Sequence, residues 1–538
     1  MKNLKLLITC IIFAFGMQTP ALAKKLNSTV LDTDAVALNV GKAQTSATAG
    51  IPKTAQKATK TAQKPATTFT NPILGGDYPD PTILRDGEDY YMTHSAFDYV
   101  PGLVVWHSRD LVHWEPISYA LKTYLGSIWA PDIKKYRGKY YIYFTVHGTR
   151  RTNCVVTADS PYGPWSDPVD LEIGDIDPCF VEGGDGKCYL VMSGGNRWTL
   201  ADDGLSVVKD SKIHFYDGWQ YPEEWLTEGF CLEGPKLYRI GDWFYYISAE
   251  GGTAGPPTSH MVVVARSKSI DGPWENMPTN PLIHTYSATE RWWSKGHGSL
   301  IDTPDGRWFC VYHSYEKDFT GLGRQTLMEP VHFTADGWIK ADGGNASKAM
   351  PLPLKTQLLT DRHARLNEFR IGLDWRFYKR WIPERVHIKD NALTLEGRGN
   401  SLGASAPLMF VAGSHRYEIE AEVTVYGDAK AGLCLYYNAQ FNVGTGFDKD
   451  RRYRYRRDHA NGVGKSAGTK QWLRLRNDNH VVTAWWSTDG KTWNRETWGQ
   501  EVSGYNHNTL YDFQSVLPGV FCEGQGFAKF ENFKYTEL

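Results

Sequence analysis

Acidic residues and one histidine recur at the start of short strand-like segments, and each of them can take part in proton transfer. Asp80 stands in "YPDPTILRDG", and comparable positions open later segments at Asp132, Asp177, Glu233 and His297. The prolines on either side of Asp80 restrict the backbone before it and fix φ after it, which aims its side chain. Pro-Asp-Pro taken alone could be only a turn. Its repetition at matching positions favours a shared site.

Carboxylic acids grouped in this way suit the hydrolysis of glycosides. One carboxylic acid protonates the leaving oxygen, while a second carboxylate activates water or attacks the sugar directly. A third carboxylate nearby raises the pKa of the proton donor by like-charge repulsion. A divalent cation site is the alternative use of such a cluster. The sequence has no calcium loop of the D-x-D-x-D-G type, so cation binding ranks second.

A repeated pattern of strands would position these residues. Five segments share a glycine, an aromatic pair or near-pair, and an apolar strand: "GEDYYMTH" from Gly87, "GKYYIYFT" from Gly138, "GKCYLVMS" from Gly186, "GDWFYYIS" from Gly241 and "GRWFCVYH" from Gly306. A short strand and a turn precede each one, and the repeat period is roughly 50 to 65 residues, which is typical of β-propeller blades. We therefore predict an all-β fold whose residues 68–350 form a five-bladed β-propeller, with the first strand of each blade lining the axis.

A second domain follows the predicted propeller. From 370 to 538 the sequence alternates strands with Gly, Asn and Asp turns, which predicts a concanavalin-like β-sandwich. The connecting linker, 351–369, lacks the Gly and Ser of a flexible tether. It contains Leu352, Leu354, Leu358, Leu359 and Leu366. Exposed linkers do not carry so many apolar side chains, so we expect the sandwich to pack on the propeller.

The first residues have the pattern of an export signal. Lys2 and Lys5 precede an apolar run, and Ala21-Leu-Ala23 offers a small-residue cleavage site. Apolar residues continue past Cys10, which disfavours a lipoprotein. We predict a signal peptide over 1–23, a low-complexity disordered tether over 24–67, and an exported protein that is periplasmic or secreted. We expect no membrane-spanning segment.

Composition narrows the class of partner. The 59 basic and 60 acidic residues give a net charge of -1, which favours neither nucleic acid nor a membrane surface. The basic, aromatic run "DKDRRYRYRRDH" superficially suggests nucleic acid, but we interpret it as one strand that alternates Arg and Tyr. Aromatic residues make up 13% of the chain. They serve strand cores, and sugars also stack on them. The seven cysteines that follow Cys10 include no CxxC pair, so zinc is not expected.

Several motifs together resemble glycoside hydrolase family 43, and within it the β-xylosidase and α-L-arabinofuranosidase group with a C-terminal β-sandwich. The matching runs are "NPILGGDYPDPTILRDGEDYYMTHSAF", "PGLVVWHSRDLVHW", "SIWAPDI", "DPCFVEGGDGKCYL", "LEGPKLYR", "AEGGT", "VARSKSIDGPW", "GHGSL" and "GLGRQTLMEPVHFTADGW". They cover the whole predicted propeller in order. "GFAKFENFKYTEL" and "AGLCLYYN" resemble the appended sandwich.

The resemblance implies a role for each matched residue. It makes Asp80 the general base, Glu233 the general acid, and Asp177 the acid that adjusts the pKa of the donor. Arg324, Phe97, Trp129 and His297 are expected to bind substrate. In some members the axial histidine also helps to hold a divalent cation such as calcium through water, although no cofactor is expected to be required. The family inverts the anomeric configuration in a single displacement.

The chain departs from the family pattern around the pocket. Asp132 stands where β-xylosidases often have His, Lys236 replaces His in "EGPH", and "AGPPTSH" follows "AEGGT" in place of Tyr-Glu-His. The expected activity is exo-acting, inverting release of xylosyl or arabinofuranosyl residues from oligosaccharides or polysaccharides. The alternatives are action on galactofuranosides or arabinan by the same fold, and a non-catalytic carbohydrate-binding propeller. The sequence leaves the sugar and the oligomeric state open.

Overall fold

The structure is a computed structural model that describes residues 67–342, 346–355 and 365–538. The predicted signal peptide, the predicted tether up to residue 66 and linker residues 356–364 lie outside the described residues. Within the described ranges, no helix is both long enough and apolar enough to cross a bilayer.

The first part of the chain consists of short antiparallel strands. In order they are β1 (Thr68–Phe69), β2 (Thr82–Asp86), β3 (Asp89–Thr93), β4 (Tyr99–Val100), β5 (Gly102–Ser108), β6 (Glu115–Leu121), β7 (Ser127–Tyr136), β8 (Lys139–His147), β9 (Arg151–Ala158), β10 (Val169–Asp170), β11 (Cys179–Glu182), β12 (Cys188–Met192), β13 (Asn196–Thr199), β14 (Ile213–His214), β15 (Glu233–Ile240), β16 (Trp243–Glu250), β17 (Met261–Ser267), β18 (Glu275–Asn276), β19 (Ile283–His284), β20 (Trp292–Asp302), β21 (Trp308–Glu316), β22 (Arg324–Phe333), β23 (Ile339–Ala341) and β24 (Met350–Pro351).

These strands form five blades, as the repeat predicts. The sheet orders are β2-β3-β5-β6 in blade 1, β7-β8-β9-β10 in blade 2, β11-β12-β13-β14 in blade 3, β15-β16-β17-β18 in blade 4 and β20-β21-β22-β23 in blade 5. In blade 4, β19 also pairs with β17. The middle strands are buried on both faces, as in β8, where every residue from Tyr140 to Val146 is buried. Successive blades pack face to face, which explains why these strands read as continuous apolar runs. The five-bladed β-propeller is confirmed.

Near the start of each blade, one residue at an equivalent position has a left-handed backbone conformation. The residues are Asp80, Ala130, Asp177, Gly234 and His297, with φ between 34° and 59°. Non-glycine residues rarely adopt this conformation, so its recurrence marks one shared turn at the end of the axis. The alignment from sequence was wrong in blade 2, where the equivalent of Asp80 is Ala130 and not Asp132. It was off by one residue in blade 4, where the equivalent is Gly234 and not Glu233.

Asp132 lies one pleat deeper along the axis. It is fully buried, and its carboxylate accepts hydrogen bonds from Thr82 Oγ1 (3.1 Å), Lys236 Nζ (3.0 Å) and the Phe180 backbone nitrogen (2.9 Å). The pairing register shifts between Trp129 and Asp132 in blade 2, and between Glu233 and Lys236 in blade 4. These bulges turn Glu233 toward the pocket while Asp132 faces the interior.

The C-terminal part forms a single hydrogen-bonded sheet that is folded on itself. Its strands are β26 (Val386–Lys389), β27 (Ala392–Glu396), β28 (Leu408–Met409), β29 (Arg416–Tyr436), β30 (Asn442–Phe447), β31 (Arg451–Arg456), β32 (His459–Lys465), β33 (Lys470–Asp478), β34 (Val481–Ser487), β35 (Asn494–Glu501) and β36 (Leu517–Glu537). The short strand β25 (Phe377–Tyr378) precedes this sheet and lies outside it. The long strands β29 and β36 pair along both layers. Both halves of β29 contribute to one apolar core, through Ile419 and Leu433 among others.

A few helical turns complete the described structure. One α-helix, α1, spans His507–Leu510 and is capped by Asn506, whose side chain accepts the Thr509 backbone N–H. The 3₁₀ turns are Ser193–Gly195, Thr320–Leu322, Pro383–Arg385 and Gly403–Ser405. Six cysteines are buried as free thiols: Cys154, Cys179, Cys188, Cys310, Cys434 and Cys522.

The sandwich packs on the propeller over a broad apolar surface. The short strand β25 pairs with β4 of the propeller. One core cluster combines Tyr99 and Trp106 of blade 1 with Met409, Tyr436 and Phe521 of the sandwich. The linker takes part: Leu352 and Leu354 pack against this cluster and Leu366 is buried in the sandwich core, while Leu358 and Leu359 lie outside the described residues.

Candidate active site

Asp80 is held in a dense network of hydrogen bonds at the end of the propeller axis. It is 5% exposed. Arg324 Nη1 donates to its Oδ1 at 3.0 Å, and the Ser95 hydroxyl donates to its Oδ2. Nδ1 of His313 lies 3.1 Å from both the backbone nitrogen and Oδ1 of Asp80. These contacts fix the carboxylate that the Pro-Asp-Pro motif aims from sequence.

Asp177 and Glu233 lie beside each other on neighbouring blades. Oδ2 of Asp177 accepts the backbone N–H of Gly234 at 2.8 Å, which ties Asp177 to the turn that carries Glu233. The Glu233 side chain keeps 23% of its surface exposed and has His260 Nδ1 at 4.0 Å from its Oε1. Asp177 is 6% exposed. Glu233 can therefore reach a bound molecule, while the more buried Asp177 holds the backbone of the turn that carries Glu233.

The environment drives the two outer carboxyls to opposite protonation states. Burial acts to raise the pKa of Asp80, but Arg324, followed by His297 and His313, holds that pKa well below its usual value. Burial raises the pKa of Glu233 well above its usual value, and the charges of Asp177, Asp80 and Glu228 add to this effect. Burial also raises the pKa of Asp177 to about 7. The site thus favours the ionised form of Asp80 and the protonated form of Glu233.

The axis below these acids carries an internal ion pair. Lys236 is 2% exposed and donates from Nζ to Asp132 Oδ1 (3.0 Å) and to the Pro131 carbonyl oxygen (3.1 Å). His297 is buried with Nδ1 3.5 Å from Asp80 Oδ1, while its Nε2 has no protein partner among the described residues. Burial lowers the pKa of His297 to about 3, and the charge of Lys236 contributes. His297 is therefore a neutral ring in contact with Asp80.

This part of the site does not fit a directly coordinated cation. Within the described ranges, no three His, Cys, Asp or Glu side chains are grouped closely enough to hold a metal ion. The Lys236 ammonium is already present near His297 and would repel a second positive charge. The Nε2 of His297 can accept or donate one hydrogen bond, which suits a water molecule.

Aromatic rings from both domains wall the site. Phe97 stacks on Phe513 of the sandwich at 5.6 Å between centroids, and Trp129 meets the same ring edge-on at 6.2 Å. The Arg324 guanidinium lies 5.3 Å from the Phe97 ring and 5.2 Å from the Phe513 ring. His507 of α1 stacks on Phe513 at 3.8 Å. The structure therefore brings the predicted residues Phe97, Trp129 and Arg324 together around a ring that belongs to the second domain.

Several residues of the site were not predicted from sequence. They are Asp77, Ser95, Glu228, Thr253, His260, His313, His507 and Phe513. Ser95 lies in the quoted motif "HSAF", and its role could have been suspected from its closeness to Asp80 in the chain. Asp77 fixes the turn of Arg324 by accepting that residue's backbone N–H at 3.0 Å, and burial raises the pKa of Asp77 to about 6. No local pattern distinguishes Phe513 or His507 from ordinary loop residues.

Comparison with known proteins gives one consistent result. The sequence model for "Glycosyl hydrolases family 43" matches residues 69–339. A "Non-reducing end alpha-L-arabinofuranosidase" of Bacteroides ovatus is 35% identical over 333 residues, which is 58% of this chain and 61% of the relative. A "Xylan 1,3-beta-xylosidase" of Vibrio sp. is 34% identical over 316 residues, 50% of this chain and 57% of the relative. The chain thus spans about 60% of the length of these two relatives.

Longer matches include the second domain. A "Xylosidase/arabinosidase 43B" of Humicola insolens is 31% identical over 406 residues, covering 68% of this chain and 74% of the relative. Among solved structures, the "GH43 BlXynB protein from Bacillus licheniformis" superposes with a TM-score of 0.79 at 26% identity, over 88% of this chain and 100% of that one. The two-domain architecture is therefore shared with a known structure along nearly the whole described chain.

Proposed function

The chain belongs to glycosyl hydrolase family 43, and from this premise we propose that it is an exo-acting, inverting glycosidase that releases xylosyl or arabinofuranosyl residues from oligosaccharides or polysaccharides. The observation that carries the proposal is that two carboxyls at one pocket, buried Asp80 and partly exposed Glu233, have pKa values shifted in opposite directions by their surroundings. Asp80 is held ionised by Arg324, and Glu233 is held protonated by burial and by neighbouring acids. An inverting glycosidase needs this pair of states before it binds substrate.

The chemistry follows from these two states. Glu233 gives its proton to the glycosidic oxygen as the bond to the leaving group breaks. Asp80 takes a proton from water as that water attacks the anomeric carbon from the opposite face, so the configuration inverts. Asp177 keeps Glu233 protonated through its charge, and Arg324 orients Asp80 and can donate to sugar hydroxyls. Protonated Asp80 and ionised Glu233 remain after the reaction and exchange protons with solvent before the next cycle.

The sandwich loop supports action at chain ends. Phe513 lies against Phe97 and Arg324, so the second domain covers one side of the pocket. A polysaccharide that ran through the site in both directions would have to pass this ring. A pocket closed on one side accepts a terminal sugar and leaves the rest of the chain outside.

We infer the candidate sugars from the relatives, which are named both as xylosidases and as arabinofuranosidases. The test is a panel of aryl β-xylosides, α-L-arabinofuranosides and β-galactofuranosides, with proton NMR of the first-formed product. We expect hydrolysis of the xyloside, the arabinofuranoside or both, with inverted configuration. Hydrolysis of the galactofuranoside alone would assign a different sugar, retention would contradict the role of Asp80, and binding without turnover would indicate a lectin.

We also propose that catalysis requires no divalent cation. The buried Lys236 supports this, because its ammonium supplies positive charge at the axis where a cation would otherwise lie. The test is the activity of the wild-type enzyme after exhaustive chelation, together with calorimetric titration of calcium. We expect unchanged activity and no heat of binding. A loss of activity that calcium restores would show that a cation is held, through water, at His297.

Finally, we propose that the protein is exported. The charged start, the apolar run and the Ala21-Leu-Ala23 site support this. Cell fractionation and N-terminal sequencing of the mature protein test it, with cleavage expected after Ala23. An uncleaved cytoplasmic chain would refute the proposal.

A further inference from the structure

A strip of aromatic side chains runs outward from the chain segment just before Glu233. We call Phe230, Tyr221, Trp225, His284 and Tyr286 the blade-4 strip. The centroids of successive rings are 5.9, 6.4, 4.7 and 4.8 Å apart. The first four rings are within 25° of parallel in each successive pair. The strip begins at Phe230, three residues before Glu233 in the chain, and the Phe230 carbonyl oxygen accepts the N–H of Gly251, which directly follows β16.

Apolar surface is exposed on this strip and at Leu226, which follows Trp225 in the chain. Leu226 is 71% exposed, Tyr286 67% and Phe230 37%. Most other large apolar residues of the propeller are buried between blades. Neighbouring apolar side chains that stay exposed beside a pocket indicate a binding surface.

Hydrogen bonds to the rest of blade 4 hold the strip in place. The Trp219 backbone N–H donates to Glu250 Oε1 at 2.7 Å, and Gly251 N–H donates to the Phe230 carbonyl at 2.9 Å. Glu228 Oε2 accepts the Ala254 N–H at 2.8 Å. The surface is thus preformed and can bind a ligand without first being ordered.

The position of the strip determines which part of a substrate reaches it. Phe513 covers the pocket on the side of Phe97 and Arg324. Glu233, the proton donor to the leaving oxygen, stands at the start of blade 4. The leaving group must lie on the side of its proton donor, which is the side of the blade-4 strip.

The charge of the surface around the strip limits which leaving groups it can bind. Between Tyr216 and Leu232 the chain has no Lys or Arg, and its acidic residues Asp217, Glu223, Glu224 and Glu228 are all exposed. Lys295, which donates to the His284 carbonyl oxygen, is buried and paired with Glu290. Sugars stack on aromatic and apolar faces, but a uronic acid would meet several exposed carboxylates here.

We propose that Leu226, Phe230 and Tyr286 bind the leaving-group portion of an extended, uncharged oligosaccharide. The proposal rests on the proposed function, because it takes Glu233 as the proton donor. It adds that the preferred substrate is a chain of several neutral sugars, and that its contacts beyond the scissile bond are mainly stacking contacts with blade 4.

The test compares chain lengths. kcat/KM is measured for an aryl glycoside, a disaccharide and a tetrasaccharide that carry the terminal sugar the enzyme removes. The variant Leu226→Ser/Tyr286→Ser changes only highly exposed side chains, and Tyr162→Ser, which is 57% exposed on blade 2, is the matched control. We expect wild-type kcat/KM to rise from disaccharide to tetrasaccharide. The double variant should lose about tenfold on the tetrasaccharide, while activity on the aryl glycoside stays within about twofold.

The possible outcomes are distinct. Equal kcat/KM of wild type and double variant on the tetrasaccharide would overturn the proposal, as would an equal loss in the Tyr162→Ser control. Failure of the wild-type protein on every glycoside would overturn the proposed function instead. A tetrasaccharide with a uronic acid next to the scissile bond should be cleaved more slowly at low salt, and Glu223→Gln/Glu224→Gln should restore its rate. Equal rates on charged and neutral chains would refute the charge selection.

Discussion

At the scale of single residues, the neighbours of Asp80 and Glu233 determine which carboxyl suits the proposed role of base and which the proposed role of acid. Asp80 lies against Arg324 and His313, whereas the pKa of Glu233 is raised by the acids Asp177, Asp80 and Glu228. Burial alone would raise the pKa of both groups. The guanidinium reverses that effect for Asp80 only, so two chemically similar side chains acquire opposite roles.

The role of Glu233 predicts a dependence on the leaving group. Glu233→Ala should lower kcat/KM on natural glycosidic linkages by about 10²–10⁴-fold, because the leaving alkoxide needs a proton. Aryl glycosides with acidic phenols need little protonation and should lose far less. Steady-state kinetics on both substrate types checks this. An equal loss on both would contradict the assignment of the acid.

The proposed role of Asp80 as general base predicts a loss of kcat that does not depend on the leaving group. Asp80→Asn keeps the size of the side chain but removes the base, and should lower kcat by about 10²–10⁴-fold on every substrate. Asp242→Asn is a suitable control, since Asp242 has a 92% exposed side chain. Near-normal turnover of Asp80→Asn on any substrate would exclude Asp80 as the base.

The charge of Asp177 predicts a shift of the pH profile. Asp177 raises the pKa of Glu233 when it is ionised, so Asp177→Asn should lower that pKa. Glu233 would then lose its proton at lower pH, and the alkaline limb of the kcat/KM profile should move to lower pH. The acid limb belongs to Asp80 and should stay in place. An unmoved alkaline limb would mean that Asp177 only orients the substrate.

At the scale of elements, a glycine in β20, Gly296, leaves room for a histidine ring of the site. A Cβ added to Gly296 would lie 1.7 Å from Cδ2 of His260. His260 is fully buried, and it stacks on His313 at 5.2 Å while its Nδ1 lies 4.0 Å from Glu233 Oε1. Because Gly296 has no side chain, the His260 ring fits between His313, which contacts Asp80, and Glu233, the proposed acid.

Gly296→Ala tests this packing. The methyl group must displace the His260 ring, so we expect a destabilisation of about 1–3 kcal/mol and a clear loss of kcat. Gly174→Ala is the matched control, because neither glycine has positive φ and the nearest atom to a Cβ at Gly174 is 3.7 Å away. Thermal unfolding and kinetics measure both effects. A Gly296→Ala enzyme with wild-type stability and activity would show that the ring moves freely.

At the scale of the whole molecule, the second domain takes part in both the core and the site. The cluster that joins Trp106 to Met409 and Phe521 spans the two domains. The loop that carries Phe513 reaches Phe97 and Arg324. The packing of the propeller and the wall of its pocket therefore include residues beyond its last strand.

Separation of the domains should be costly. Expression of residues 68–350 alone would expose this cluster, and we expect insoluble or inactive protein. Phe513→Ala in the full chain is the milder comparison: it should fold normally and lose kcat/KM on short substrates. Solubility, circular dichroism and kinetics distinguish the two. A soluble 68–350 fragment with full activity would show that the sandwich is an independent module.

Local sequence patterns were enough to predict the blades and the family. Strand–turn–strand repeats and continuous apolar runs depend on local patterns, and the motifs around Asp80, Asp177 and Glu233 are local too. The presence of strands in the sandwich was visible for the same reason, although β29 and β36 are each longer than the segments that the pattern indicates. Their hydrogen bonding into one continuous sheet was not, because β29 and β36 bend from one layer to the other.

The difference between the acids depends on contacts that form only in the folded protein. Asp132 and Ala130 could not be distinguished by spacing, since a bulge shifts the register by one residue and leaves the sequence pattern unchanged. The protonation of Glu233, the place of His260 and the closure by Phe513 depend on groups that are distant in the chain. Burial and charge act through space, and a single sequence does not state which side chains share that space.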